Sequence, residues 1–127
     1  MNVFETGRVT QARTEQAPDG SSVLPLLSLP SGGMAVFELA AGQVSRAVRH
    51  RSVDEIWLVL AGSGSMWRKL AAQEDVVALE EGVCISIPAG TAFQFRCDGD
   101  ASLRIVATTM PPWPGEGEAD FVPGKWD

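Results

Sequence analysis

The sequence predicts an all-β fold, a sandwich or a barrel of many short strands. Glycine and proline account for 13 and 8 of the 127 residues, and they recur at short intervals with strand-sized segments between them. Several of these segments alternate apolar and polar residues with a period of two, which is the pattern of a half-buried strand. No segment shows the pattern of a long amphipathic helix. Short strands at regular spacing are typical of sandwiches and barrels.

Nine strands are predicted in chain order. They cover residues 23–29, 34–40, 44–50, 55–61, 66–70, 76–79, 83–87, 92–97 and 102–109. Pro25 lies inside the first of them and cannot donate a hydrogen bond to a neighbouring strand, so we expect that strand at a sheet edge. Residues 1–109 are therefore interpreted as one barrel domain with an N-terminal arm.

The last segment, residues 110–127, has a different composition. It contains four prolines and three large aromatic residues, Trp113, Phe121 and Trp126. Proline interrupts regular strand pairing, whereas the aromatic side chains provide apolar area for docking. We expect an extended tail that packs on the barrel or on a partner subunit as a clasp, and a lid over a binding site is the alternative.

Composition restricts the class of protein and its partners. A length of 127 residues is typical of one domain, and a net charge of −6 argues against nucleic acid as a partner. No apolar run approaches the ~18 residues of a membrane span, and no apolar leader is evident, so we expect no membrane partner and a cytoplasmic location. Cys84 and Cys97 lack the spacing of a zinc site and are expected to be reduced.

Two segments carry a motif. Residues 42–62 read G-QVSRA-V-R-H-RSVD-E-IWLVLA-G, and residues 82–97 read G-VCISI-P-A-G-TA-F-QFR-C. They resemble the two signatures of the cupin family, G-x5-H-x-H-x(3,4)-E-x6-G and G-x5-P-x-G-x2-H-x3-N, with every spacing matched. The resemblance implies a single-domain cupin with a jelly-roll, double-stranded β-helix barrel. It also implies a homodimer, since cupins commonly dimerise.

Cupins typically bind a divalent metal through three histidines and a glutamate, and this chain matches that set only in part. His50 and Glu55 occupy two of the four positions, whereas Val48 and Phe93 stand at the other two. Zn, Fe, Mn or Ni sites need three or four ligands at fixed geometry. The resemblance therefore implies an incomplete metal site of His50 and Glu55, and no cofactor is assigned.

If His50 and Glu55 point inward, as the resemblance implies, strand alternation places further side chains in the lumen. The expected ligand-binding residues are Val48, Trp57, Met66, Arg68, Phe93 and Phe95. On this reading Arg68 pairs with Glu55 or holds an anionic ligand. Such a lumen, apolar and aromatic with few polar groups, is typical of a pocket for a small organic ligand.

Two functions remain open from the sequence. In the first, the lumen binds an apolar or carboxylate-bearing small molecule without a metal, which explains Val48 and Phe93 directly. In the second, the protein is a small enzyme of isomerase, epimerase, cyclase or oxygenase type. His50 and Glu55 then act as a catalytic acid/base pair or as the remnant of a metal site.

Overall fold

The computed structural model describes residues 3–126, and it confirms an all-β, double-stranded β-helix fold. A short 3-10 helix at Val9–Gln11 precedes the strands. The strands are β1 (Glu15–Gln16), β2 (Ser22–Leu29), β3 (Gly32–Leu39), β4 (Val48–His50), β5 (Asp54–Ala61), β6 (Ser63–Leu70), β7 (Gln73–Glu80), β8 (Cys84–Ile87), β9 (Ala92–Cys97), β10 (Leu103–Met110) and β11 (Ala119–Phe121).

Two antiparallel sheets face each other across the lumen. One has the order β1-β2-β3-β10-β5-β8, and the other has the order β11-β4-β9-β6-β7. Strand alternation separates core from surface most clearly on β10, where Leu103, Ile105 and Ala107 are fully buried and the residues between them are half-buried. The lumen is therefore lined by every second residue of each central strand.

The turn between β5 and β6 shows why the first motif ends in glycine. Gly62 has a φ of +87°, and a Cβ atom placed there would lie 2.5 Å from the carbonyl oxygen of Ser102. Only glycine combines this left-handed backbone with such a close approach. The turn holds β5 and β6, which belong to different sheets, at one end of the barrel.

The observed strands differ from the predicted ones in several places; β1 was not predicted, and β6 begins at Ser63 rather than at residue 66. The segment predicted at 44–50 consists of an isolated bridge at Val44 followed by β4, and β7 extends beyond the predicted 76–79 to Gln73–Glu80. The tail forms a short strand, β11, which pairs with β4. This pairing occurs between Pro114 and Pro123, where no proline removes a backbone donor.

Pro25 lies where an edge residue is expected. β1 pairs only with Ser22 and Val23 of β2, so Pro25 faces β3 on one side, and a register shift follows between Pro25 and Ser28. This irregular part of β2 opens the barrel wall at the end of the lumen that contains His50 and Glu55. Within residues 3–126, no helix has the length and apolarity needed to cross a membrane.

Candidate functional site

A cavity of about 280 Å³ occupies one end of the lumen. Its wall includes the irregular part of β2, the inward faces of β3 and β5, and residues of β4 and β9. The N-terminal arm, through Asp19, and the tail, through Trp113, complete its rim. The opposite end of the lumen is filled by buried apolar side chains, among them Met66, Leu79 and Phe95.

His50 and Glu55 meet inside this cavity from opposite sheets. His50 ends β4 in the five-stranded sheet, and Glu55 follows after four intervening residues, near the start of β5 in the six-stranded sheet. Their Nδ1 and Oε2 atoms lie 2.9 Å apart, and the two side chains are 8% and 3% exposed. The pair makes an ion-pair contact when the imidazole is protonated, although Nδ1 has no partner with hydrogen-bond geometry among residues 3–126.

Glu55 is also held by its neighbour on the same strand. The indole Nε1 of Trp57 donates a hydrogen bond of 3.0 Å to Glu55 Oε1, so one carboxylate oxygen faces the indole and the other faces His50. Thr109 of β10 lies opposite Glu55 in the strand register and also lines the cavity. Buried carboxylates need partners, and Glu55 has a hydrogen bond at Oε1 and the close contact with His50 at Oε2.

A second buried carboxylate, Asp19, lines the same cavity from the N-terminal arm. It is 6% exposed, and its Oδ1 accepts hydrogen bonds from the backbone N and the hydroxyl of Ser21, at 2.9 and 2.6 Å. Burial raises the pKa of the Asp19 carboxyl, the Ser21 hydrogen bonds oppose that rise, and the charge of Glu55 adds to it. His50 has the opposite, smaller effect on this pKa.

Aromatic rings form the walls between these polar groups. Phe93 meets both His50 and Trp57 edge to face, with ring centroids 5.2 and 6.0 Å apart. Phe37 of β3 stacks on the other side of Trp57 at 6.0 Å. Trp113 from the tail contacts His50 edge to face at 4.9 Å and is 39% exposed. The cavity is therefore aromatic on several sides and open beside Trp113.

The carboxylate of Glu118 attaches the tail to the loop between β4 and β5, and this contact is called the carboxylate latch. Glu118 is buried and accepts hydrogen bonds from the backbone N of Ser52 and Val53, at 2.6 and 2.7 Å, and from the Ser52 hydroxyl. Burial acts to raise the pKa of Glu118, but the hydrogen bonds from Ser52 and Val53 outweigh it, so the pKa lies below its ordinary value. Farther along, Gln94 Oε1 accepts hydrogen bonds from the backbone N of Lys125 and Trp126.

The structure places the predicted site residues in two groups. The cavity is lined by Val48, His50, Glu55, Trp57 and Phe93. Met66 and Phe95 do not line it, because they lie farther down the lumen in the packed core, where Phe95 contacts Trp57 edge to face at 5.0 Å. A period of two fixes the direction of a side chain but not its position along the barrel axis.

Arg68 lies outside the cavity and does not pair with Glu55. Its guanidinium binds both carboxylate oxygens of Asp75, directly opposite on β7, at 3.1 and 2.8 Å, and donates to the Ser86 carbonyl at 2.8 Å. The cross-strand carboxylate is closer than any lumen group, and it occupies the donors that an anionic ligand would need.

The residues present do not fit the metal that the fold family implies. His50 and Glu55 are two donors, and the side chains beside them, Val48 and Phe93, are apolar. Within the described part of the chain, no group of three or more His, Cys, Asp or Glu residues has an arrangement that suits a metal ion. Cys84 is exposed on β8 and the buried Cys97 donates to the Ala101 carbonyl, so neither thiol completes a ligand set.

Among the cavity residues that the sequence did not predict, four carry polar or aromatic side chains that matter for the site: Asp19, Phe37, Thr109 and Trp113. Phe37 and Thr109 lie on predicted strands, and the alternation of β3 and β10 would have placed them inward had the phase been known. Asp19 stands in a Pro-Asp-Gly turn and Trp113 in the proline-rich tail. Nothing local indicates that the Asp19 turn folds back over the lumen, whereas a position of the tail over a binding site was the alternative to a clasp.

Comparisons with known proteins agree with the double-stranded β-helix fold. The model of the cupin domain family matches residues 35–109, which is more than half of the chain. Among curated proteins, none matches the chain. The structural similarities below rest on 14–15% sequence identity.

Three solved structures illustrate the similarity. The cupin domain of Schizosaccharomyces pombe Cnp3 has a TM-score of 0.69 at 14% identity, over 82% of this chain and 72% of that one. A Klebsiella pneumoniae protein with a double-stranded β-helix domain has a TM-score of 0.71 at 14% identity, over 94% and 98%. The capsular polysaccharide assembling protein CapF from Staphylococcus aureus has a TM-score of 0.73 at 15% identity, over 94% of this chain and 33% of CapF. The family match and the shared architecture together identify the chain as a member of the cupin family.

Proposed function

We propose that this cupin binds a compact organic ligand in its lumen without a resident metal. The observation that supports the proposal is the cavity itself, in which aromatic walls surround a few buried polar groups. Ligand sites are typically concave and apolar, with a small number of polar groups that fix orientation. The apolar side chains of Val48 and Phe93, which stand where metal ligands are usual, become part of the ligand-contacting wall.

The dimensions of the cavity restrict the ligand. A volume of about 280 Å³ is at the small end of the ~300–1,000 Å³ range of pockets that hold drug-sized molecules. A ligand with one ring or a short branched chain fits this space. Trp57 and Trp113 line the cavity, so their fluorescence provides an intrinsic signal for binding.

The test compares a variant that fills the cavity with one that adds the same ring elsewhere. Val48→Phe extends a ring into the cavity, whereas Val76→Phe adds it on the exposed face of β7, where Val76 is 47% exposed. Phenol and cyclohexanol serve as probes in ligand-observed NMR. We expect saturation transfer with the wild type and Val76→Phe and its loss with Val48→Phe, with circular dichroism verifying folding of each. Undiminished transfer to Val48→Phe, or none to the wild type, contradicts lumen binding.

A second candidate function, acid/base catalysis, is favoured by the 2.9 Å contact between His50 and Glu55 at the cavity wall. An imidazole beside a carboxylate in a largely apolar cavity suits transfer of a proton to or from a bound carbonyl compound. Deuterium exchange at the α-carbon of cyclohexanone in D₂O provides a probe reaction. Exchange by the wild type and not by the His50→Ala/Glu55→Ala double variant supports catalysis, and no exchange by the wild type contradicts it.

The proposal includes a homodimer. The outer face of β5 presents Ile56, Leu58 and Leu60, which are 51%, 40% and 38% exposed and lie on alternate residues of one strand. Contiguous apolar patches on a sheet face are typical of interfaces, and a second copy covers such a patch symmetrically. Light scattering is expected to show a dimer that Leu58→Glu converts to a monomer. A wild type that is monomeric at micromolar concentration contradicts this.

A further inference from the structure

The ionisable groups of the cavity are mostly acidic. Two buried carboxylates, Asp19 and Glu55, and one imidazole, His50, line it, and the lining residues of the described chain include no lysine or arginine. The nearest arginine of the N-terminal arm, Arg13, is 81% exposed at its side chain and pairs with Glu15 at the rim. The protein therefore supplies more negative than positive groups to a ligand in this space.

The two carboxylates differ in how well they are compensated. Glu55 has the Trp57 indole on one oxygen and the His50 imidazole near the other. Asp19 uses only Oδ1 in its hydrogen bonds with Ser21, so those bonds leave Oδ2 unengaged. Asp19 and Glu55 are buried in the same cavity, and two buried negative charges are costly for the folded protein, so a ligand that carries a positive charge would relieve that cost.

The walls fit the same type of ligand. The faces of aromatic rings carry partial negative charge, and a cation within about 6 Å of a ring centroid is attracted to them. Trp57, Phe93 and Trp113 line the cavity, and the planes of Trp57 and Phe93 are inclined at 88°. Rings in such an arrangement present faces and edges from several sides, as in the aromatic cages that bind quaternary ammonium groups.

The surroundings of the cavity favour an anionic ligand much less than a cationic one. Arg68, the arginine expected in the lumen, is held outside the cavity by Asp75 and the Ser86 carbonyl. The guanidinium of Arg46 lies 3.6 Å from the centre of the Phe121 ring, on the tail. A carboxylate in the cavity would meet Asp19 and Glu55 at low dielectric, and among the lining residues that the structure describes only His50 is able to carry a positive charge.

We propose that the ligand is a compact organic cation, an ammonium group with small alkyl substituents, bound between the Asp19 carboxylate and the aromatic walls. This inference rests on the proposed lumen-binding function and replaces the carboxylate-bearing ligand considered from the sequence. The positive group would lie beside Asp19, and its alkyl groups would pack against Trp57 and Trp113.

Three probes of nearly equal shape test the charge of the ligand. Choline carries a trimethylammonium group, 3,3-dimethylbutan-1-ol is its uncharged isostere, and 3,3-dimethylbutanoate is an anion with the same branched end. Affinities are measured by isothermal titration calorimetry at constant ionic strength. We expect choline to bind about tenfold or more tightly than the alcohol, and the alcohol to bind more tightly than the anion.

Matched variants that neutralise one carboxylate each show which residue causes the preference for choline. Asp19→Asn removes the charge and keeps an oxygen that accepts the Ser21 hydrogen bonds, and Glu55→Gln likewise keeps an acceptor for Trp57. Glu81→Gln changes the net charge equally on the exposed turn between β7 and β8. Asp19→Asn is expected to weaken choline about tenfold without weakening the alcohol, and Glu81→Gln to leave both unchanged.

The possible outcomes distinguish failure of the cation inference from failure of the proposed lumen binding. Equal affinities for the three probes, tightest binding of the anion, or unchanged choline affinity in both Asp19→Asn and Glu55→Gln would overturn the cation and leave lumen binding intact. Loss of choline in Glu55→Gln, measured on a folded variant, supports the cation even where Asp19→Asn does not fold. No binding of any probe, together with no NMR transfer from phenol or cyclohexanol, overturns both proposals.

Discussion

The two ends of the lumen are built from the same strands but contain different chemistry. Along β5 the inward residues change from Glu55 through Trp57 to Val59, and along β9 they change from Phe93 at the cavity to Phe95 in the core. Within residues 3–126, the buried aspartate, glutamate and histidine side chains lie at the cavity end. They are Asp19, His50, Glu55 and Glu118. Alternation decides which residues face inward, and height along the barrel decides whether they stabilise the fold or line a cavity.

The largest loss of stability is expected from a substitution at the packed core end of the lumen. Phe95→Ala is expected to lower the free energy of unfolding by about 3–5 kcal/mol, because Phe95 is fully buried and its removal leaves a void in close-packed surroundings. Phe93→Ala is expected to lower it by less, since one side of that ring already borders the cavity. Urea denaturation of both variants measures the difference. Equal losses would show that the two ends are packed alike.

A smaller effect is expected at the carboxylate latch. Glu118→Gln keeps the shape but removes the charge that accepts hydrogen bonds from Ser52 and Val53, so at neutral pH we expect a loss of about 1–2 kcal/mol. The pKa of Glu118 is lowered in the folded protein, so its stabilising contribution is present above the unfolded-state pKa of about 4 and disappears as pH falls through the folded-state pKa. Thermal unfolding from pH 7 to pH 3 measures this. A difference from wild type that does not shrink in acid argues against the latch.

The pH dependence of the stability contributed by Asp19 is expected to have the opposite sign to that of Glu118. Its pKa is raised in the folded protein by burial, so its contribution to stability is fully present below the unfolded-state pKa and is lost as pH rises through the folded-state pKa. Asp19→Asn does not suffer that loss, and we expect it to be more stable than wild type at neutral pH by about 1 kcal/mol. The same pH series on both variants sharpens the comparison. Greater stability of the wild type at neutral pH would mean that Asp19 is fully compensated.

The smallest effect on stability is expected at the cavity mouth. Trp113→Ala removes a side chain that is 39% exposed, and we expect its unfolding free energy to stay within about 0.5 kcal/mol of wild type. Binding of choline should nevertheless weaken several-fold, because one aromatic wall is lost. Trp126→Ala is the control, since Trp126 contacts Arg96 outside the cavity. Equal losses of choline affinity in the two variants would show that Trp113 does not form part of the aromatic wall that contacts choline.

Much of the fold was predictable because its determinants are local. Turn residues and alternation delimit the strands, and the spacing of the two motifs fixes their order in the barrel. The same motif spacing brings His50 and Glu55 together, since four intervening residues carry the chain from one sheet to the other. These features depend on short stretches of sequence and on the period of a strand.

The remaining parts of the site depend on long-range packing. Asp19 and Trp113 reach the cavity only because the arm and the tail fold back over the barrel, and no local pattern encodes that path. Arg68 has the alternation of an inward residue, yet the carboxylate of Asp75 on the neighbouring strand determines its direction. Cross-strand competition of this kind follows from register, which the sequence alone did not provide.

The cavity wall joins segments from both ends of the chain, residues 15–19 of the arm and Pro112 with Trp113 of the tail. A bound molecule that touches both segments couples their local unfolding, because each fraying event would have to break contacts with the same ligand. Occupancy would therefore slow hydrogen exchange at the two termini together, although they are far apart in sequence. In this barrel a ligand would act as a noncovalent crosslink between the beginning and the end of the polypeptide.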